Sequence, residues 1–224
     1  MGHGSYGPNG VTPWADVTPV DLTMVGIPDN SPVLLFAGRL HPQKGLDWGL
    51  TYVGNVLSCI PSAHFVILGD GPQSESLERL ALGHDYSERI HFLGFQKDIR
   101  PYLARARCLF LPSRWEGMPN VVLEAMAAGR AVVGTKVEGT EELVLPGQTG
   151  WLVPPGDVAA LSDALAQAFS DRQRLERLGQ AAHERVATNF RPERVVADYE
   201  RLWSGLLHLK FEGPVQNPFP SEDR

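Results

Sequence analysis

Between Val33 and Thr135 the chain repeats one pattern five times: a short apolar run of strand length, then a stretch with helical spacing. The runs are VLLFAG (33–38), HFVILG (64–69), IHFLG (90–94), CLFLP (108–112) and AVVGT (131–135). They are continuously apolar rather than alternating, as strands covered on both faces are. Parallel neighbours require a crossover of a dozen residues or so, which the intervening helical stretches supply. These are expected at 46–60, 73–82, about 99–106, about 119–128 and near 140–144. The pattern predicts an α/β fold with a doubly wound parallel sheet of five strands.

Outside this core the character changes. Residues 1–32 carry five prolines among scattered Gly and Asn and read as a lead-in. From Asp157 the chain is purely helical, with Asp157 at an N-cap position and Pro192 where a further helix can begin. Three prolines and no periodicity make 209–224 read as a mobile tail, leaving 33–208 as the domain. With 43% hydrophobic and 21% charged residues and a net charge of −6, the chain has the balance of a globular protein. It lacks the clustered basic face that nucleic-acid binding requires. No apolar run is long enough for a transmembrane segment and none resembles a leader, so a cytoplasmic protein is expected. Cys59 and Cys108, both in apolar segments, are expected to be buried free thiols.

Open parallel sheets bind ligands beyond the carboxyl ends of their strands, so the loops after the strands are the place to search. After the first run, GRLHPQKG holds Arg39 and Lys44 beside a helix start, a combination suited to phosphate, although a solvated loop carries such residues equally well. After the second, GDGP resembles half of a dinucleotide fingerprint. The pattern fails at Ser74, and Gly71 either makes a tight turn or admits a ligand to the backbone. Phe95 follows the third run, as a core aromatic or at the crevice.

The stretch SRWEGMPNVVLEAMAAG (113–129) is the most informative. Pro119 at a first helical position and Gly129 beyond the end frame a short helix whose side chains are nearly all apolar or small. Glu124 is the exception, and a carboxylate in that setting needs donors. An arginine of this chain is one possible source and the vicinal diol of a ribose another. Glu116 precedes the helix, and the backbone N–H groups of Gly117, Met118 and Asn120 lie at its positive end, where an anion is favoured. A diol acceptor, a phosphate cradle and a second carboxylate in one segment describe a nucleotide-sugar site.

Together, GRLHPQKG, VILGDGP, IHFLGF, LFLPSRWEGMPNVVLEAMAAGRAVVGTKVEGTEELV and GQTGWLVPPGD resemble the carboxy-terminal half of retaining GT-B glycosyltransferases of family four. The resemblance covers about residues 33–200, and PNGV (8–11) is similar to the hinge entering that half. It implies a Rossmann-like, donor-binding half of a GT-B fold with added carboxy-terminal helices. Arg39 and Lys44 would hold the diphosphate and, with Glu116, form the catalytic set. Glu124 would accept from the ribose, Glu116 from hydroxyls of the donor sugar, and Gly117, Met118 and Asn120 would offer N–H groups. Phe95 and Gly71 would border the base; Glu138, Gly139 and Glu142 would lie near the pocket. The implied donor is a UDP- or GDP-sugar, UDP first, with no cofactor and no metal. The implied acceptor is a glycan or lipid-linked glycan, reached through an amino-terminal domain that residues 1–32 do not supply. His41 is accordingly given no catalytic role, transfer by this chain alone is not expected, and the full-length protein would be cytoplasmic or membrane-peripheral. Three other readings are a non-catalytic nucleotide-sugar-binding module, an epimerase of GT-B architecture, and a dinucleotide-dependent oxidoreductase, which Ser74 weighs against.

Overall fold

The structure, a computed structural model, describes residues 14, 17–194, 196, 197, 200 and 203. Six strands form one sheet: β1 Val33–Ala37, β2 His64–Leu68, β3 Ile90–Phe92, β4 Cys108–Leu111, β5 Val132–Thr135 and β6 Gly150–Val153. Their order is β3-β2-β1-β4-β5-β6, and every neighbouring pair is parallel. Five strands were expected; GWLV is the sixth. Its first residue is a glycine that reads as turn, yet Gly150 lies so close to β5 that a Cβ there would sit 2.2 Å from the Val132 carbonyl oxygen. The glycine admits the neighbouring strand rather than ending one.

The α-helices with defined bounds are α1 Leu46–Cys59, α2 Ser74–Leu82, α3 Arg100–Arg105, α4 Asn120–Ala127, α5 Thr140–Leu143, α6 Val158–Ser170 and α7 Arg172–Asn189. Helix α1 packs with α2 and α6, while α4 packs with α3, α5 and α7. Right-handed crossovers leaving β1 in one direction and β4 in the other put these two groups on opposite faces of the sheet. Strands β1, β2, β4 and β5 are consequently buried along their whole length, as their unbroken apolar runs require. Phe65 and Phe110 meet edge to face, with ring centroids 5.9 Å apart, at the centre of the core. Such a pair adds about 0.5–1.5 kcal/mol beyond its area burial.

Local signals held at most termini. The Asp157 carboxylate accepts from Ala160 N at 3.0 Å and caps α6, and residues 192–194 are helical. Pro119 is the N-cap of α4 rather than its first helical residue, with ψ at 103°, and Asn120 takes the first position. Cys108 is fully buried on β4, where burial pushes its thiol up to about 12. Cys59, expected to be buried, is exposed, because it ends α1 past the helix's last buried turn; both thiols are free. Within the 1–32 lead-in, Leu22 and Ile27 enter the core, and Val20 N donates to the Pro101 carbonyl at 3.1 Å. The PNGV segment and the 209–224 tail lie outside the described residues. Among the described residues no helix is long and apolar enough to cross a membrane.

Candidate functional site

The strand order reverses direction between β1 and β4, so the loops leaving these two strands diverge and open a crevice at the carboxyl edge of the sheet. A cleft of about 780 Å³ occupies it. Its walls are Gly38 and Arg39 after β1, Gly69 and Asp70 after β2, Phe95, Gln96 and Ile99 after β3, and Asn120, Val121 and Glu124 on α4.

Two backbone loops are pressed together to form one wall. Leu40 N donates to the Asp70 carbonyl at 2.9 Å and Gln73 N to the Leu40 carbonyl at 3.0 Å. Gly69, at φ +134°, leaves no room for a side chain: a Cβ would lie 1.9 Å from the Gly38 carbonyl oxygen. The space beside Gly71 is likewise taken by the Leu40 carbonyl, at 2.3 Å from a Cβ position. Gly71 therefore supports the wall from behind. Ser74, where the fingerprint fails, closes the same turn: its hydroxyl accepts from Gly71 N at 3.0 Å and donates to Asp70 Oδ1 at 2.7 Å. That hydroxyl holds the Asp70 carboxyl below the usual carboxylate range.

A second set of contacts ties the loop after β1 to the loop after β4. Lys44 Nζ lies 2.6 Å from Glu116 Oε1, and the buried Ser113 hydroxyl donates to the same oxygen at 2.6 Å. Thr135 Oγ1 in turn donates to the Ser113 carbonyl. Gln43 Nε2 donates to the Trp115 carbonyl at 3.1 Å, and Arg114 N to the Gln43 carbonyl at 2.8 Å. Arg114 grips both oxygens of Asp47 at 2.8 and 2.9 Å and holds that carboxyl below its ordinary value. His41 Nδ1 accepts from Gln43 N at 3.3 Å, so this imidazole caps the 3₁₀ turn Pro42–Lys44.

Glu116 and Glu124 are the two buried carboxylates among the described residues, at 8% and 9% exposure, and both belong to this corner of the fold. Arg39 and Glu124 face the cleft; Lys44 and Glu116 are joined beside it. Helix α4 presents its amino terminus here with no side-chain cap, because its N-cap is a proline. Its first N–H groups have no intrahelical partners. Gly117 and Met118 precede that terminus, and Gly139 packs on the Gly117 carbonyl. Phe95 stands on the rim, 76% exposed. Glu138 and Glu142 are exposed and do not line the cleft. Asp70, Gln96 and Ser113 were not singled out from the sequence, where an isolated polar residue beside a strand end carries no signal of its own.

A cleft at the switch point of a parallel sheet, with an arginine, an uncapped helix terminus and a buried carboxylate around it, defines a Rossmann-type ligand site. The chain belongs to the glycosyl transferases group 1 family, whose model matches residues 31–171. It is 31% identical over 186 residues to the lipopolysaccharide core biosynthesis glycosyltransferase LpsE of Rhizobium meliloti, covering 83% of this chain and 54% of the relative. It is 29% identical to the N-acetyl-alpha-D-glucosaminyl L-malate synthase of Bacillus anthracis, covering 85% and 50%. Among solved structures it superposes on sucrose-phosphate synthase from Thermosynechococcus elongatus with a TM-score of 0.74 at 27% identity, covering 85% and 49%. Anabaena HepE in complex with UDP-glucose gives 0.73 at 26%, covering 84% and 51%. The chain thus spans about half the length of these relatives.

Proposed function

We propose that this cleft binds a nucleoside diphosphate sugar and that the chain is the donor half of a retaining hexosyl transferase. The observation that carries the reading is the convergence of two buried carboxylates and two cations on one end of the sheet. In this reading Arg39 and the remaining N–H donors of Lys44 take the diphosphate, aided by the N–H groups of Gly117, Met118 and Asn120. Both hydrogen bonds to Glu116 fall on Oε1, which makes Oε2 the oxygen for a hydroxyl of the donor sugar. Glu124 accepts from the ribose, and Phe95 on the rim borders the base. The phosphate charge falls to these cations, with no metal ion.

The proposed transfer forms a bond from the acceptor oxygen to the anomeric carbon as the bond from that carbon to the diphosphate oxygen breaks. The acceptor proton passes to the leaving phosphate, whose developing charge Arg39 and Lys44 stabilise. The acceptor is a glycan or lipid-linked glycan, and its binding falls to a part beyond this chain. UDP is the proposed nucleotide, supported by UDP-glucose in the similar HepE structure.

Calorimetric titration with UDP, GDP and ADP, without added metal, tests the donor assignment. Saturable binding of UDP, with GDP and ADP weaker, is expected. Preference for another nucleotide would correct the base, and failure of all three would contradict the reading.

A further inference from the structure

At the other end of the strands from the cleft lies a second cavity, of about 390 Å³. It is bordered by the residues that lead into β1 and β4 and by the start of α7. Four arginines line it, Arg105, Arg107, Arg130 and Arg172, against two carboxylates, Asp29 and Glu176. Glu176 is already paired with Arg172 at 2.7 Å on the exposed rim. Among the described residues none of Arg105, Arg107 or Arg130 has an ion-pair partner.

Each of the three is held in place by something other than a carboxylate. Arg105 donates through Nη1 to the Ser31 carbonyl and through Nη2 to the Pro28 carbonyl, at 3.0 Å each. The guanidinium of Arg107 lies 5.6 Å from the centre of the Phe169 ring. Arg130 donates to the Ala104 carbonyl at 2.7 Å, while its buried Nε has no hydrogen-bond partner among the described residues. Burial holds the Arg130 guanidinium below its ordinary pKa, with Cys108 and Glu176 offsetting only part of that effect. Positioned guanidinium groups that outnumber the carboxylates four to two, around a cavity in the size range of small-molecule sites, make a receptor for a compact dianion.

We propose that this cavity binds a small phosphomonoester, its phosphate held by Arg107 and Arg130 with Arg105 and Arg172 alongside. The proposal is independent of the donor-site reading, since it uses no residue of the cleft.

The test is calorimetric titration of the chain with glycerol 3-phosphate and with inorganic phosphate at constant ionic strength, repeated on Arg107→Gln, Arg130→Gln and Arg39→Ala. Saturable binding of the ester is expected, weakened about tenfold or more by loss of either Arg107 or Arg130, as removal of one charge-assisted hydrogen bond implies. Arg39→Ala should leave it unchanged, and Arg107→Gln should leave UDP binding unchanged. Arg130 has a buried Nε, so Arg107→Gln carries the test if Arg130→Gln fails to fold. No saturable binding, or binding lost in Arg39→Ala and kept in Arg107→Gln, would overturn the proposal. Co-sedimentation with phosphatidylcholine vesicles containing phosphatidic acid separates the sources of the phosphate. Pelleting with the vesicles while glycerol 3-phosphate fails to bind would also overturn it, since the site would then read a lipid surface.

Discussion

Glu116 receives Lys44 and Ser113 on a single oxygen, in a pocket where the lysine side chain is 15% and the carboxylate 5% exposed. Removing one charge from so enclosed a pair strands the other, and stranding costs more than the pair contributes. Lys44→Ala is therefore expected to destabilise the fold by about 2–4 kcal/mol, with Lys44→Ala/Glu116→Gln recovering most of the loss. Urea midpoints of the two variants measure this; equal losses would show that the pair is not electrostatically coupled. At the opposite end of β2, His64 Nδ1 lies 3.0 Å from His91 Nε2. Burial depresses both imidazoles, with Arg89 and Arg105 adding to the effect at His64 and His64 adding to it at His91. Folded pKa values below the unfolded one mean that the unfolded chain binds more protons near pH 6, so stability rises with pH there. The melting temperature should be level above about pH 7 and fall as pH drops through about 6.5, the unfolded histidine value. His91→Gln should flatten that fall, and an unchanged profile would assign it to other groups.

At the scale of elements, the site depends on loops that touch through their backbones. Gly69→Ala places a Cβ 1.9 Å from the Gly38 carbonyl oxygen at φ +134°, whereas Gly94→Ala, at φ +66°, meets nothing within 4 Å. The second should cost about 1–2 kcal/mol, the ordinary price of a left-handed residue. The first should cost more and weaken nucleotide binding as well, because it parts the loops after β1 and β2. Thermal unfolding with nucleotide titration of both variants checks the contrast; equal effects would show that the loops tolerate separation. Elements with continuous apolar runs, β1, β2 and β4, were legible because burial on both faces leaves a strong local signature. Strand β6 was not, because Gly150 answers to the Val132 carbonyl across the sheet rather than to its own segment. The start of α4 was legible to within one residue, since proline suits both the N-cap and the first turn.

Over the whole molecule, the local code of the sheet placed the loops after the strands at one edge, and these loops carry the residues on which the site reading rests. The partners of those residues were beyond local reasoning. Lys44 and Glu116 are 72 positions apart, and their pairing follows from β1 and β4 lying side by side. The four arginines of the second cavity come from segments as distant as α3 and α7, and nothing in the spacing of Arg105 and Arg172 announces that they share a space. Nor does the Pro-rich composition of residues 1–32 reveal that Leu22 and Ile27 finish the core, since two apolar residues show no period. The central claim, that the cleft is built around a nucleoside diphosphate, is tested most directly by titrating the chain with UDP alongside Arg39→Ala and Glu124→Gln. The account predicts saturable binding that each substitution weakens about tenfold or more, the loss expected for one charge-assisted hydrogen bond. Binding that survives both substitutions intact would contradict it.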